Sequence, residues 1–172
     1  MNSRLTIAEL NALDAAAFEA RLAHVFEHAP WVARHAAGRR PFAGRDGLHR
    51  AMVAAIDAAS EAEQLALLRG HPDLAGKAVI AGDLTRDSKR EQQGSGLDRL
   101  TSAEYERFHA LNCTYKERFG FPFILAVKGK TKDDILAVFA ARAGNERAVE
   151  FREALDQVGR IAAFRLADII QD

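Results

Sequence analysis

Helix-start signals recur along the chain and constrain its fold more than any other feature of the sequence. Three Ser/Thr-x-x-Glu patterns begin at Thr6, Ser60 and Thr101, and each precedes an apolar pattern of helical period. In such a capping box, the hydroxyl and the carboxylate satisfy backbone amides that the first helical turn leaves unpaired. Strand-like alternation of apolar and polar residues is nearly absent. The sequence therefore predicts an all-α protein.

Length and composition predict one domain, residues 1–172, built around a single core. A chain of 172 residues with 48% hydrophobic residues can form such a core, and no repeat, low-complexity segment or domain linker interrupts it. Lysine plus arginine and aspartate plus glutamate each number 24, so the net charge of zero gives no support for a nucleic-acid partner. The single cysteine, Cys113, cannot form an internal disulfide or supply a cysteine-rich zinc site.

No segment of the sequence predicts export or membrane insertion. The first residues lack the apolar run of a signal peptide, and no stretch approaches the roughly 20 apolar residues that a membrane span needs. The last residues do not form a peroxisomal Ser-Lys-Leu signal. We therefore expect a cytoplasmic protein with no membrane partner.

Apolar periodicity and helix-stop residues predict where the helices lie. A first apolar stripe runs from Leu10 to Phe26, with a helix restart at Asp14, and a short segment carrying Trp31 follows. Gly70 stands where a glycine ends a helix. We expect a loop at 38–47, short helical turns near 74–80 and 88–93, and an extended segment or buried connector at 121–127. The remaining expected helices cover about 48–56, 61–69, 102–118, 131–143 and 146–170.

Arg165 lies on or beside the apolar face of the last expected helix, four residues after Ile161 and four before Ile169. A guanidinium group keeps its charge, so a buried arginine requires an anion. One interpretation is a snorkelling arginine or an internal salt bridge. The other is a clamp for an anionic ligand. The residues alone leave both open.

His71 begins a second candidate segment, which ends at Gly76. It stands directly after the helix-stopping Gly70 and before Pro72, which restricts its backbone. This position suits an imidazole that transfers protons at the edge of a cleft. The alternative is a surface loop in which Asp73 only caps the next turn.

Ser88, Glu91 and Gln92 form a third candidate set, because their spacing places them on one face of a helix. A hydroxyl, a carboxylate and an amide presented together can grip a polar heterocycle. The alternative is structural: Ser88 and Glu91 also fit a capping box.

Read together, these segments resemble the signature of the OHCU decarboxylases, and the match runs in order through nearly the whole chain. An early segment at 26–32 also looks like the family, whereas Ser95 departs from it, since an alanine is common there. The matching motifs are His71-Pro72-Asp73-Leu74-Ala75-Gly76, Leu84-Thr85-x-x-Ser88-x-x-Glu91-Gln92, Leu111-Asn112-x-x-Tyr115, Arg142-x-x-Asn145-x-x-x-x-Glu150 and Ile161-x-x-x-Arg165-Leu166.

The resemblance implies a single-domain multi-helix bundle that works without cofactor or metal, usually as a homodimer. The implied reaction converts 2-oxo-4-hydroxy-4-carboxy-5-ureidoimidazoline (OHCU) into (S)-allantoin in urate breakdown. It also implies that His71, Glu91 and Arg165 are the catalytic set, with Arg165 binding the substrate. The implied substrate-binding residues are Pro72, Ser88, Gln92, Phe123, Ile124, Leu125, Ala126 and Val127.

Two other functions remain open at this point. The first is a helical module that binds an anionic ligand without turnover. The second is a metal-dependent hydrolase that uses His71, Asp73 and Glu91, although the remaining histidines show no recognisable metal-ligand spacing. Turnover of OHCU and its dependence on metal distinguish these functions from the decarboxylase.

Overall fold

The computed structural model describes residues 4–76 and 83–171, and most of that chain is helical. Within these ranges it has nine helices and one pair of two-residue strands, so the all-α prediction is confirmed. No described helix combines the length and apolar character needed to cross a membrane. The elements in chain order are β1 Leu5–Thr6, α1 Ile7–Ala12, α2 Ala15–Leu22, α3 Pro30–Ala37, α4 Arg45–Asp57, α5 Glu61–Arg69, α6 Arg86–Gly94, α7 Ser102–Phe119, α8 Lys132–Arg142, α9 Arg147–Ile169 and β2 Ile170–Gln171.

Side-chain caps explain where several helices begin. The predicted capping boxes at Thr6, Ser60 and Thr101 are all present, with both reciprocal hydrogen bonds formed in each. A fourth box begins at Thr131, where α8 was expected to start. The Asp14 side chain caps α2, which confirms the predicted restart. Local sequence signals therefore set these helix starts.

The described chain divides into two compact units. The first comprises the described residues within Met1–Gly70 and Gly159–Asp172, and the second those within His71–Val158. Helix α9 starts in the second unit and ends in the first. The expectation of a single domain stays a prediction.

The first unit is built from α1 to α5 and the end of α9. Strands β1 and β2 pair in parallel, with Leu5 opposite Ile170 and Thr6 opposite Gln171. Helix α4 begins at Arg45, so the predicted loop at 38–47 is three residues too long at its end. Helix α4 has no side-chain cap, because its capping residue is Gly44. The sequence therefore carried no capping signal for the start of α4. The buried apolar side chains of this unit include Leu10, Phe18, Leu22, Val25, Phe26, Val32, Leu48, Met52, Ile56, Ala162 and Leu166.

The second unit is built around an aromatic cluster that α7, α8 and the segment 121–127 share. Phe123 and Phe139 stack with ring centroids 3.9 Å apart, and the Tyr115 ring packs edge-on against both. Helix α7 ends at Gly120, whose φ of 80° is left-handed. The segment 121–127 then forms neither helix nor strand, and all seven residues are buried. This confirms the buried connector among the two alternatives.

The start of α6 differs from the expected capping box at Ser88. Thr85 is the capping residue, and its hydroxyl accepts a hydrogen bond from the Ser88 backbone amide at 3.4 Å. Ser88 therefore lies inside the first turn, and the Ser88–Glu91 box was wrong. Leu74 and Ala75 form a turn, whereas the rest of the helical turn expected at 74–80 lies outside the described residues.

Candidate active site

Arg165 is buried in the first unit, on the apolar face of α9. Its guanidinium Nη1 donates to Glu27 Oε2 at 2.9 Å, and both side chains are only 2% exposed. The same nitrogen lies 3.3 Å and 3.4 Å from the carbonyl oxygens of His24 and Val25. The internal salt bridge named among the alternatives is therefore present. A further role as an anion clamp stays a prediction.

Glu27 was not singled out by the sequence reasoning, although it lies in the early segment that resembles the family. It follows Phe26 at the end of a turn, and the next residue, His28, has a left-handed φ of 52°. This conformation is uncommon for residues other than glycine, although histidine adopts it more readily than most. The turn thus holds the Glu27 carboxylate at Arg165. The only sequence signal was an acidic residue directly after the apolar stripe that ends at Phe26.

The loop from His71 to Gly76 lies in the second unit, and His71 is 9% exposed. Side chains from α6 and α7 hold its backbone. Gln92 Oε1 accepts from the Ala75 amide at 2.9 Å, and Gln92 Nε2 lies 3.4 Å from the Asp73 carbonyl oxygen. Asn112 Nδ2 donates to the Leu74 carbonyl oxygen at 2.9 Å. The loop is therefore fixed at three consecutive residues.

Helix α6 presents the predicted polar face toward the interior of the second unit. Ser88 is 5% and Gln92 2% exposed, whereas Glu91 is partly exposed. Both amide atoms of Gln92 bind the backbone of the loop that begins with His71. Gln92 thus connects α6 to that loop, and its expected contact with a ligand stays a prediction.

The backbone of the connector 121–127 is held by side chains from three helical regions. Arg142 Nη1 donates to the Ile124 carbonyl oxygen at 2.8 Å, and Gln157 Oε1 accepts from the Ala126 amide at 3.0 Å. Ser95 Oγ donates to the Val127 carbonyl oxygen at 2.9 Å. The residue that departs from the family pattern thus supplies a buried hydrogen bond. The segment expected to line the pocket, which includes Phe123 and Leu125, has a fixed backbone.

A buried polar network lies beneath this connector. The Glu150 carboxylate, 0% exposed, accepts from Arg142 Nε at 2.9 Å, from Asn145 Nδ2 at 2.9 Å and from the Tyr115 hydroxyl. Arg142 also lies over the Phe123 ring at 4.5 Å. Burial and the Glu150 carboxylate raise the pKa of the Tyr115 phenol above its usual value. The motif of Arg142, Asn145 and Glu150 belongs to the family resemblance, but no role was predicted for it.

The structure thus connects some of the predicted residues within the second unit. Gln92 joins the His71 loop to the helix of Ser88 and Glu91, whereas Arg165 belongs to the first unit. Within residues 4–76 and 83–171, His, Cys, Asp and Glu side chains form no group of three or more that could hold a metal ion.

Comparison with known proteins gives a consistent set of relatives. The chain is 47% identical over 167 residues to the uric acid degradation bifunctional protein PucL of Bacillus subtilis, matching 97% of this chain but only 33% of that protein. It is 44% identical to the 2-oxo-4-hydroxy-4-carboxy-5-ureidoimidazoline decarboxylase of Haloferax volcanii, over 95% of each chain. A crystal structure of an (S)-allantoin synthase superposes with a TM-score of 0.78 at 32% identity, covering 96% of this chain and 54% of that one.

The family assignment rests on the extent of these matches. A model of the family described as OHCU decarboxylase matches residues 11–167. This range contains the whole ordered set of motifs on which the sequence resemblance was based. Because the model and the Haloferax relative both cover nearly the entire chain, the chain belongs to the OHCU decarboxylase family.

Proposed function

We propose that this chain catalyses the decarboxylation of OHCU to (S)-allantoin and carbon dioxide in urate breakdown. A relative of the same length bears the name of that decarboxylase, and a solved relative is named (S)-allantoin synthase. The structural observation that carries the proposal is the bridge formed by Gln92. Its buried amide joins α6, the helix of Glu91, to the loop that begins with His71.

The substrate supplies its own electron sink, so the chemistry requires no cofactor. The carboxylate is attached to the hydroxyl-bearing carbon, which is bonded to the carbon of a C=N group. As the bond to the carboxylate breaks, its electron pair moves toward the C=N nitrogen, which takes up a proton to become N–H, and carbon dioxide leaves. The resulting enol loses its hydroxyl proton to become a carbonyl. A proton added to one face of the ureido-bearing carbon completes (S)-allantoin.

The protein must orient the ring and stabilise the charge that develops. We propose that Arg165 binds an anionic or carbonyl oxygen of the substrate, because a planar guanidinium suits such a group. Glu91 accepts hydrogen bonds from ring and ureido N–H groups, and Ser88 and Gln92 form further hydrogen bonds with the same part of the substrate. His71 moves a proton near the hydroxyl-bearing carbon. Pro72 and the backbone of 123–127, whose position the second unit fixes, line the pocket.

The stereochemistry of the product provides the decisive test. Freshly generated OHCU decays on its own to racemic allantoin, so the enzyme is recognised by fast formation of the S product. We expect circular dichroism to report one enantiomer and to keep doing so after treatment with a chelator. Racemic product at the uncatalysed rate, with OHCU still bound, would instead identify a ligand-binding module. Activity lost with the metal and restored by it would indicate the hydrolase-type alternative.

We also propose that the protein is a cytoplasmic homodimer, as the family resemblance implies. Light scattering coupled to gel filtration measures the molar mass directly. A monomeric mass at concentrations at which the protein is fully active would refute the dimer. Recovery of the protein in a membrane or exported fraction would refute the cytoplasmic location.

A further inference from the structure

The turn that follows His71 needs partners that its own backbone does not provide. Asp73, Leu74 and Ala75 belong to no helix or strand, and Ala75 has a left-handed φ of 52°. Buried peptide groups outside regular structure must bind side chains or water. Here two amide side chains fill that need, Gln92 from α6 and Asn112 from α7.

Of these two amides, Asn112 is the one that the proposed function does not use. It is 3% exposed, and its Nδ2 donates to the Leu74 carbonyl oxygen at 2.9 Å. Its Oδ1 is buried and has no hydrogen-bond partner within the described residues. A buried acceptor without a partner is unfavourable. Packing alone would therefore favour leucine, which has a similar size and no orphan acceptor.

The donor of Asn112 explains why an amide is present despite this cost. Only Pro72 and Asp73 separate His71 from Leu74, so the hydrogen bond from Asn112 fixes the turn that directly follows the histidine. Lys116, one helical turn after Asn112 on α7, adds an ion pair to Asp73 at 2.6 Å. Helix α7 thus holds the turn at Asp73 and Leu74, and Gln92 of α6 holds it at Asp73 and Ala75.

We propose that Asn112 is a positioning residue, which orients the His71 imidazole for proton transfer by fixing the Leu74 carbonyl. This inference rests on the proposed function for its kinetic consequence but not for its structural one. Asn112 touches no substrate. Its loss changes the ring orientation of His71 and leaves in place Ser88, Glu91 and Arg165, which lie on helices outside this turn.

The test compares Asn112→Leu with a matched control, Asn11→Leu. Asn11, in the first unit, also holds backbone through its amide, with Nδ2 donating to the Phe42 carbonyl oxygen at 2.8 Å. We expect Asn112→Leu to lower kcat by about 10–100-fold with little change in KM, as misplacement of a catalytic group does. Asn11→Leu should change thermal stability without changing kcat. Asn112→Ala serves as the second variant if the leucine does not fit.

A second readout does not need activity. Protein labelled with ¹⁵N-histidine gives imidazole signals, and His71→Ala identifies the signal of His71. We expect that signal to move in Asn112→Leu and to stay in place in Asn11→Leu. An unchanged His71 signal, or an unchanged kcat in a folded Asn112 variant, refutes the inference. A wild-type protein that does not decarboxylate OHCU refutes the proposed function instead, and the imidazole signals still test the positioning role.

Discussion

Replacing Glu27 with glutamine tests how much the buried ion pair of the first unit contributes to stability. The substitution keeps the size of the side chain and an oxygen that can accept from Arg165, but it removes the negative charge. Arg165 cannot respond by losing its proton. The guanidinium would then be a buried cation whose remaining acceptors in the described structure include the carbonyl oxygens of His24 and Val25.

The magnitude follows from the burial of the pair. Both side chains are 2% exposed, so water cannot replace the lost carboxylate. Removing one partner of a buried pair typically costs about 3–5 kcal/mol. Because glutamine keeps one hydrogen bond, we expect about 3 kcal/mol, the lower end of that range. For a chain of this size the corresponding fall in Tm is about 6–12 °C.

Urea unfolding followed by circular dichroism measures this loss. Glu19→Gln is the matched control, because Glu19 pairs with Arg34 at 2.7 Å where the arginine side chain is 66% exposed. Solvent screens such a pair, so the control should unfold close to wild type. If Glu27→Gln unfolds at the same urea concentration as the control, the buried charge is compensated in another way and the reasoning fails.

Three further predictions concern the second unit and the helix caps. Tyr115→Phe keeps the ring in the aromatic cluster but removes a hydrogen bond to the Glu150 carboxylate, so denaturant unfolding should show a loss of about 2 kcal/mol. His71→Ala should lower decarboxylation by roughly 10²–10⁴-fold with an unchanged melting temperature, and near-normal turnover would remove His71 from the mechanism. Acid should weaken the fold because four carboxylates have a lowered folded-state pKa, three of them through capping hydrogen bonds and Glu104 first through Lys132 and then through its cap. This contribution is present above their ordinary pKa and is lost as the pH falls through the lower folded values. The pH dependence of urea unfolding should be shallower in Glu63→Gln, and an identical dependence would contradict this; the four residues are Glu9, Glu63, Glu104 and Asp134.

Local signals in the sequence predicted much of the helical structure. The capping boxes and apolar stripes involve residues within a few positions of one another, so the start of α5 at Glu61 and its end at Arg69 could be read directly. The start of α6 was placed wrongly because Thr85 is followed three residues later by Ser88, not by the acid or amide that marks a box. Helical spacing and backbone position already singled out Arg165, His71 and the set of Ser88, Glu91 and Gln92, but only the family resemblance gave them catalytic and binding roles.

Contacts between distant residues were the part that the sequence did not reveal. Glu27 meets Arg165, and Asn112 meets Leu74, only after the chain has folded. The sequence showed that a buried arginine needs an anion but not which acid provides it. Likewise, a polar residue on an apolar helix face indicates a buried partner without identifying the backbone group that binds it.

The pairing of β1 with β2 has a consequence for how the protein forms during synthesis. Leu5 is synthesised before the second unit, whereas its partner Ile170 is synthesised after it. The second unit is one continuous stretch, whereas the first must wait for the end of α9. Translation therefore supplies every residue of the second unit before the first can close, and a ribosome stalled shortly before Gly159 should carry an early segment that proteases still cut.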